Sequence, residues 1–185
     1  MPSTKRYREL LENARKPAEF HREAYNAARS DRGNSYGHQV TTKELAERVG
    51  TLRLLYETLA PAEKRFLAGD LTAVDEIISF LEADVAVSRS GYLKERFYRK
   101  LKAWKLDRDQ VARLQEIAIR RCQSAEQRRE DAELRRLMIR LADREFLERL
   151  LALPDGDNAR VQHKKSLMQK VILRGRKDLR EKVVS

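Results

Sequence analysis

The densest concentration of chemistry-bearing side chains in this sequence is cationic. Residues 89–105 read RSGYLKERFYRKLKAWK, with Glu95 the only acid. A helix here places Leu93, Phe97, Leu101 and Trp104 on one face, at spacings of three and four. Lys94, Arg99, Lys102 and Lys105 then lie around the opposite side, with Tyr98 among them, and Arg96 and Lys100 add to the positive charge. A row of cations with an interleaved ring suits a phosphate backbone. The charges replace its counterions and the ring offers a stacking surface. Arg160, Lys164 and Lys165 form a second, sparser group near the C-terminus. The candidate nucleic-acid-binding residues are therefore Lys94, Arg96, Tyr98, Arg99, Lys100, Lys102 and Lys105, with Arg160, Lys164 and Lys165 as a further contact. A solvated helix face is the plainer alternative, but one glutamate cannot neutralise such a run locally.

The charge of the whole chain agrees. Of 185 residues, 40 are Lys or Arg and 29 are Asp or Glu, a formal net charge of +11. The excess is uneven. Residues 89–122 hold eleven basic and four acidic residues, and residues 154–185 hold nine and four. Residues 37–88 are acidic by four charges, and residues 123–153 balance to zero. Such a distribution calls for an acidic partner, either nucleic acid (DNA or RNA) or an acidic protein.

Other chemistries find little support. His21, His38 and His163 are scattered and have no His or Cys partner at ligand spacing, so no metal site is expected. No glutamate stands three residues before any of them, as a Glu-x-x-His di-iron motif needs. Cys122 follows Arg120 and Arg121, which would lower a thiol pKa. It falls on an apolar stripe, however, and reads as a buried structural residue. No nucleophile elbow, phosphate loop or dinucleotide fingerprint is present. No cofactor and no enzymatic activity are expected. The paired carboxylates Asp75–Glu76 and Glu130–Asp131 sit on faces that read as solvated.

The elements that position these residues read as helices throughout. Gly and Pro together number only 11, and helix formers dominate. The spacing predicts helices over 5–28, 42–59, a short one from Pro61 to near Gly69, one capped by Asp70 or Thr72 whose apolar stripe reaches Val85 and which Ser88 to Gly91 closes, 92–105 and 107–122. A helical stretch over 125–153 follows, either continuous or broken near Asp143, and then a last helix to about Arg174. Asp107 and Gln110 form a capping-box pair, and Asp157 or Asn158 caps the last helix. Ser30 to Thr41 lacks periodicity and reads as a connector. The organisation expected is an N-terminal helical arm (1–29), a flexible connector (30–41), a helical domain (42–174) and a charged tail (175–185). The fold class is all-α, with about seven or eight helices in antiparallel pairs.

Two resemblances accompany this reading. The segment DGDNARVQHKKSLMQKV, residues 155–171, resembles the second helix of a HEAT-type repeat: Asp157 in the turn, then Val161, a basic Lys164 or Lys165, and Leu167. Residues 70–106 and 107–153 fit that pattern more loosely. The resemblance implies a helical array with a binding surface and no particular chemistry; an irregular helical bundle is the alternative. TKELAERVGTLRLLYETL, residues 42–59, resembles the start of a helix-turn-helix through Ala46 and Gly50. Thr51 and Tyr56 then depart from it, and a continuous helix is the better reading.

The function expected is a non-enzymatic basic module that contacts nucleic-acid phosphates non-specifically. The alternative is a protein–protein scaffold, a subunit docked through the arm, whose Tyr7, Leu10, Leu11, Phe20 and Tyr25 form a thin apolar stripe. No segment reaches the roughly 20 apolar residues of a spanning helix, and the lone cysteine suits a reducing compartment, so the expected location is cytoplasmic. Membrane-surface binding through residues 89–105 is not expected, because the apolar face of that helix is needed for the core.

Overall fold

The computed structural model describes residues 4–9, 42–84, 90–154, 158–176 and 178–179, with side chains in the second range at residue 53 and from 56 onward. The fold is all-α, with no strand among these residues. The chain divides into two compact units, Met1–Ser88 and Arg89–Ser185.

In the first unit, α1 is described over residues 4–9 and α2 runs Thr42–Leu67. The expected break before Pro61 does not occur, and Pro61 lies inside α2. A helix-interior proline loses a hydrogen bond and crowds the preceding turn. Leu59, Ala62 and Phe66 on that stretch are buried, and their packing holds the helix through it. Nor does a turn form at Gly50, so the helix-turn-helix start remains a single helix. Gly69 at φ +97° ends the segment, a conformation in which a Cβ is strained. Asp70 then accepts from the Thr72 backbone N–H at 2.9 Å, capping a 3-10 turn, Leu71–Ala73, that leads into α3, Val74–Ala83. The helix ends there, before the expected close at Ser88–Gly91. The stripe Val74, Ile77, Ile78 and Leu81 is buried.

The N-terminal segment packs into this core. Tyr7 is fully buried, edge-on to Phe80 at 5.7 Å, and Thr4 Oγ1 donates to Glu82 at 2.8 Å. Tyr7 therefore needs no partner protein to cover it. Leu10, Leu11, Phe20, Tyr25 and the connector lie outside the described residues. The Tyr7 hydroxyl is buried without a hydrogen-bond partner among the described residues, and burial, with Glu76 nearby, pushes its pKa up to about 12.

The second unit holds α4 (Ser90–Leu101), α5 (Arg108–Gln123), α6 (Asp131–Leu141), α7 (Arg144–Leu151) and α8 (Ala159–Gly175). Helix α6 is central and packs against α4, α5 and α8. Its Leu134, Leu137 and Met138 meet a core that includes Phe97, Leu114, Ile117, Phe146, Met168 and Ile172. Local signals set the helix ends. Asp107 and Gln110 form the expected capping box, Asp143 accepts from the Phe146 N–H at 2.8 Å, and Asn158 accepts from the Arg160 N–H at 2.9 Å. Residues 125–130, expected to be helical, instead form a loop that leads into α6. At the far end of α8, Gly175 lies so close to the Ile139 side chain of α6 that a Cβ there would clash with it. That close approach fixes α8 against α6, and these two helices with the loop before α6 build the site described next.

Candidate functional site

The cationic run on α4 is partly neutralised by its own chain. Lys94 is fully buried, 3.9 Å from Glu130 of the loop before α6. Tyr98 is 1% exposed and belongs to the core. Both were expected on the outer face, and both lie inside. The buried stripe is Ser90, Lys94, Phe97, Tyr98 and Leu101, rotated from the expected one, while Leu93 and Trp104 are only half-buried. A buried lysine needs a counter-charge, and Glu130 supplies it from an element distant in sequence.

Glu133 of α6 occupies more of the run. It accepts from Lys102 at 2.8 Å, sits 3.8 Å from Arg99, and also accepts from Arg136. Burial would raise the Glu133 pKa, but the hydrogen bonds from Lys102 and Arg136 outweigh it and hold the carboxyl below its usual range. Arg99 also donates to Glu95 at 2.7 Å. Arg96 is exposed on this face. Lys100 and Lys105 are exposed too, and neither has a carboxylate partner among the described residues.

A second concentration of cations lies elsewhere, and it lines a concave surface. Between the loop before α6, α6 itself and the start of α8 is a cleft of about 530 Å³. Arg128, Arg129, Arg135, Arg160 and Lys164 line it, with His163 beside them, and Asp131 is the only acid in its wall. That carboxylate is already engaged. Arg121 donates to it twice, at 3.1 and 3.3 Å, and the Arg128 backbone N–H donates at 3.1 Å. Burial would raise the Asp131 pKa, but these donors and the Lys164 charge hold it below the carboxylate range.

Lys164 ties the wall together. Its ammonium lies 3.1 Å from Asp131, donates to the Arg121 carbonyl at 3.4 Å, and donates to the Glu126 carbonyl. The last turn of α5 carries the negative end of a helix dipole, which favours a cation there. Burial, together with Arg121, draws the Lys164 pKa below its ordinary value. With an 11% exposed side chain, Lys164 gives the cleft charge rather than a free donor. Lys165 is committed in the same way, donating to the Leu153 carbonyl. Arg128 pairs with Glu126 at 2.6 Å and Arg129 with Glu95 at 2.6 Å. Arg135 and Arg160 have no carboxylate partner among the described residues.

The structure thus brings Arg160 and Lys164 together with Arg128, Arg129, Arg135 and His163, which the sequence reading did not select. The run on α4 is distinct from this cleft. Burial pushes the Cys122 thiol up to about 11, so it stays protonated at neutral pH, as befits a packed side chain. Among the described residues, no cluster of His, Cys, Asp and Glu could hold a metal ion, and no helix is long and apolar enough to cross a membrane. Set against known proteins, the chain matches no family model, no curated protein and no solved structure.

Proposed function

We propose that this chain is a non-enzymatic module that grips nucleic-acid phosphates, without reading base sequence, in the cleft between α6 and α8. The observation that carries this reading is the convergence of five cationic side chains on one cleft, two of which, Arg135 and Arg160, have no carboxylate partner among the described residues, while the one carboxylate of the wall, Asp131, is itself engaged. A concave site lined by one sign of charge focuses its field more than a convex helix face does. Arg135 and Arg160 stand on different helices at its rim and supply the planar forks that suit phosphate oxygens. The HEAT-like signature at 155–171 overlaps α8, and that resemblance implies a binding surface there.

The test is a salt titration of oligonucleotide binding by fluorescence polarisation. Log affinity falls linearly with log salt, by roughly 0.9 per phosphate contact on duplex and 0.7 on single strands. The double variant Arg135→Glu/Arg160→Glu loses about 10- to 100-fold in affinity, with a shallower slope, because two charge-assisted contacts are replaced by repulsion. Unchanged affinity and slope in that variant would overturn the reading. An acidic protein segment would satisfy the same charges; a chain that binds no oligonucleotide at low salt points to that partner instead.

A further inference from the structure

We infer that the ligand of the cleft is single-stranded nucleic acid, one base of which stacks on Tyr92 while the phosphates beside it enter the cleft. The inference rests on the phosphate-binding reading above and specifies its ligand.

Tyr92 lies in the first turn of α4 and is 60% exposed, the one aromatic among the strongly exposed large apolar side chains of the described residues. The Arg129 guanidinium carbon lies 4.1 Å from the centre of its ring. Arg129 is held in that pose from behind, since its Nε donates to Glu95 at 2.6 Å. It is also one of the residues lining the cleft. A π-surface and the cationic cleft therefore share one side chain.

That arrangement discriminates between nucleic-acid forms. In a duplex each base is stacked on its neighbours and paired, so its face is not available to a protein ring. In a single strand every base has a free π-face, and aromatic platforms beside cationic grooves bind such strands with little sequence preference. Arginine extends the platform, because its planar guanidinium stacks on rings and bases alike. Arg129, its charge already balanced by Glu95, fits that stacking role better than a phosphate contact. Tyr98, the ring expected to stack from the sequence, is buried and cannot do so.

The experiment measures affinity of the full chain for a fluorescent single-stranded oligonucleotide of about 12 nucleotides and for the matching duplex, at one salt concentration. The variants are Tyr92→Ala, Tyr92→Phe and Arg135→Glu/Arg160→Glu, each checked for native helicity by circular dichroism. Tyr92→Ala should lose about 5- to 100-fold for the single strand and less than about twofold for the duplex, the range expected for one stacked base. Tyr92→Phe should keep the native affinity, because the ring and not the hydroxyl stacks. If Tyr92→Ala leaves single-strand affinity unchanged, or weakens both forms equally, the stacking inference is overturned while phosphate binding stands. If the double arginine variant binds both forms as the native chain does, the phosphate reading fails, and this inference with it.

Discussion

Helix α4 and the α6–α8 cleft are both rich in cations, yet only one of them converges on an empty concave space. Along α4 and the turn after it, Glu95, Glu130 and Glu133 meet Lys94, Arg99 and Lys102, and the cations left over are exposed, Lys100 on the helix and Lys105 beyond its end. In the cleft, Asp131 is spent on Arg121 and Lys164, Arg128 pairs with Glu126 and Arg129 with Glu95, and Arg135 and Arg160, left without a carboxylate partner among the described residues, line one basin from two helices. Net charge is a property of composition. Usable charge depends on which acids the fold sets beside which bases.

The largest effect expected falls on the buried Arg121–Asp131 pair, whose carboxylate belongs to the cleft wall. Asp131→Ala leaves Arg121, 4% exposed, without its carboxylate, and should cost the second unit about 3–5 kcal/mol, measured by denaturant unfolding. The folded-state pKa of Asp131 is depressed, so its contribution is present above the usual carboxylate pKa and is lost as pH falls through the lowered value. The native chain should therefore lose stability on acidification below about pH 4, and Asp131→Asn should flatten that limb. Unaltered stability in Asp131→Ala would mean that the cleft wall is not held as described.

Next in size is the loss in oligonucleotide affinity for Arg135→Glu/Arg160→Glu, and then the single-strand loss for Tyr92→Ala. Glu133→Gln sharpens the contrast from the other side. It frees Lys102 and Arg136 from their shared acid, while Arg99 keeps Glu95, and should raise affinity at low salt by about two- to fivefold, turning the surface around Lys102 into a second phosphate contact. Smallest is Lys100→Glu/Lys105→Glu, a reversal of the same formal charge as the arginine pair, expected to change affinity by less than about threefold, since solvated, convex charges are screened. An effect equal to that of the arginine pair would erase the distinction between the two regions.

Much of the architecture was legible because helix signals are local. The all-α class, the cap at Asn158, the capping box at Asp107 and the break at Asp143 each depend on residues within one turn of one another. Pro61 was misread because tertiary burial of Leu59, Ala62 and Phe66 overrides a local breaker. Lys94 was misplaced for a similar reason. Ser90, Lys94 and Tyr98 share a face at spacings of four, but a lysine can take an inward position only once Glu130 arrives from another element. The cleft was only half legible. Arg160 and Lys164 stood in a segment of clear positive excess, whereas Arg128, Arg129 and Arg135 stood in one whose net charge is zero. The acids of that segment include Glu126, which pairs with Arg128, and Glu145 and Glu148 on α7, which lie away from the cleft lining. Averaging charge over a stretch of sequence hides a basin built from two of its ends.

The most direct test is to map the contact itself, by following backbone amide resonances of the isotope-labelled full chain as a single-stranded oligonucleotide is added. Perturbations should cluster at residues 125–135 and 159–167, the loop, α6 start and α8 start that enclose the cleft, with a smaller set around Tyr92. Perturbations centred on residues 99–105, the end of α4 and the segment after it, with the cleft residues unmoved, would contradict the account.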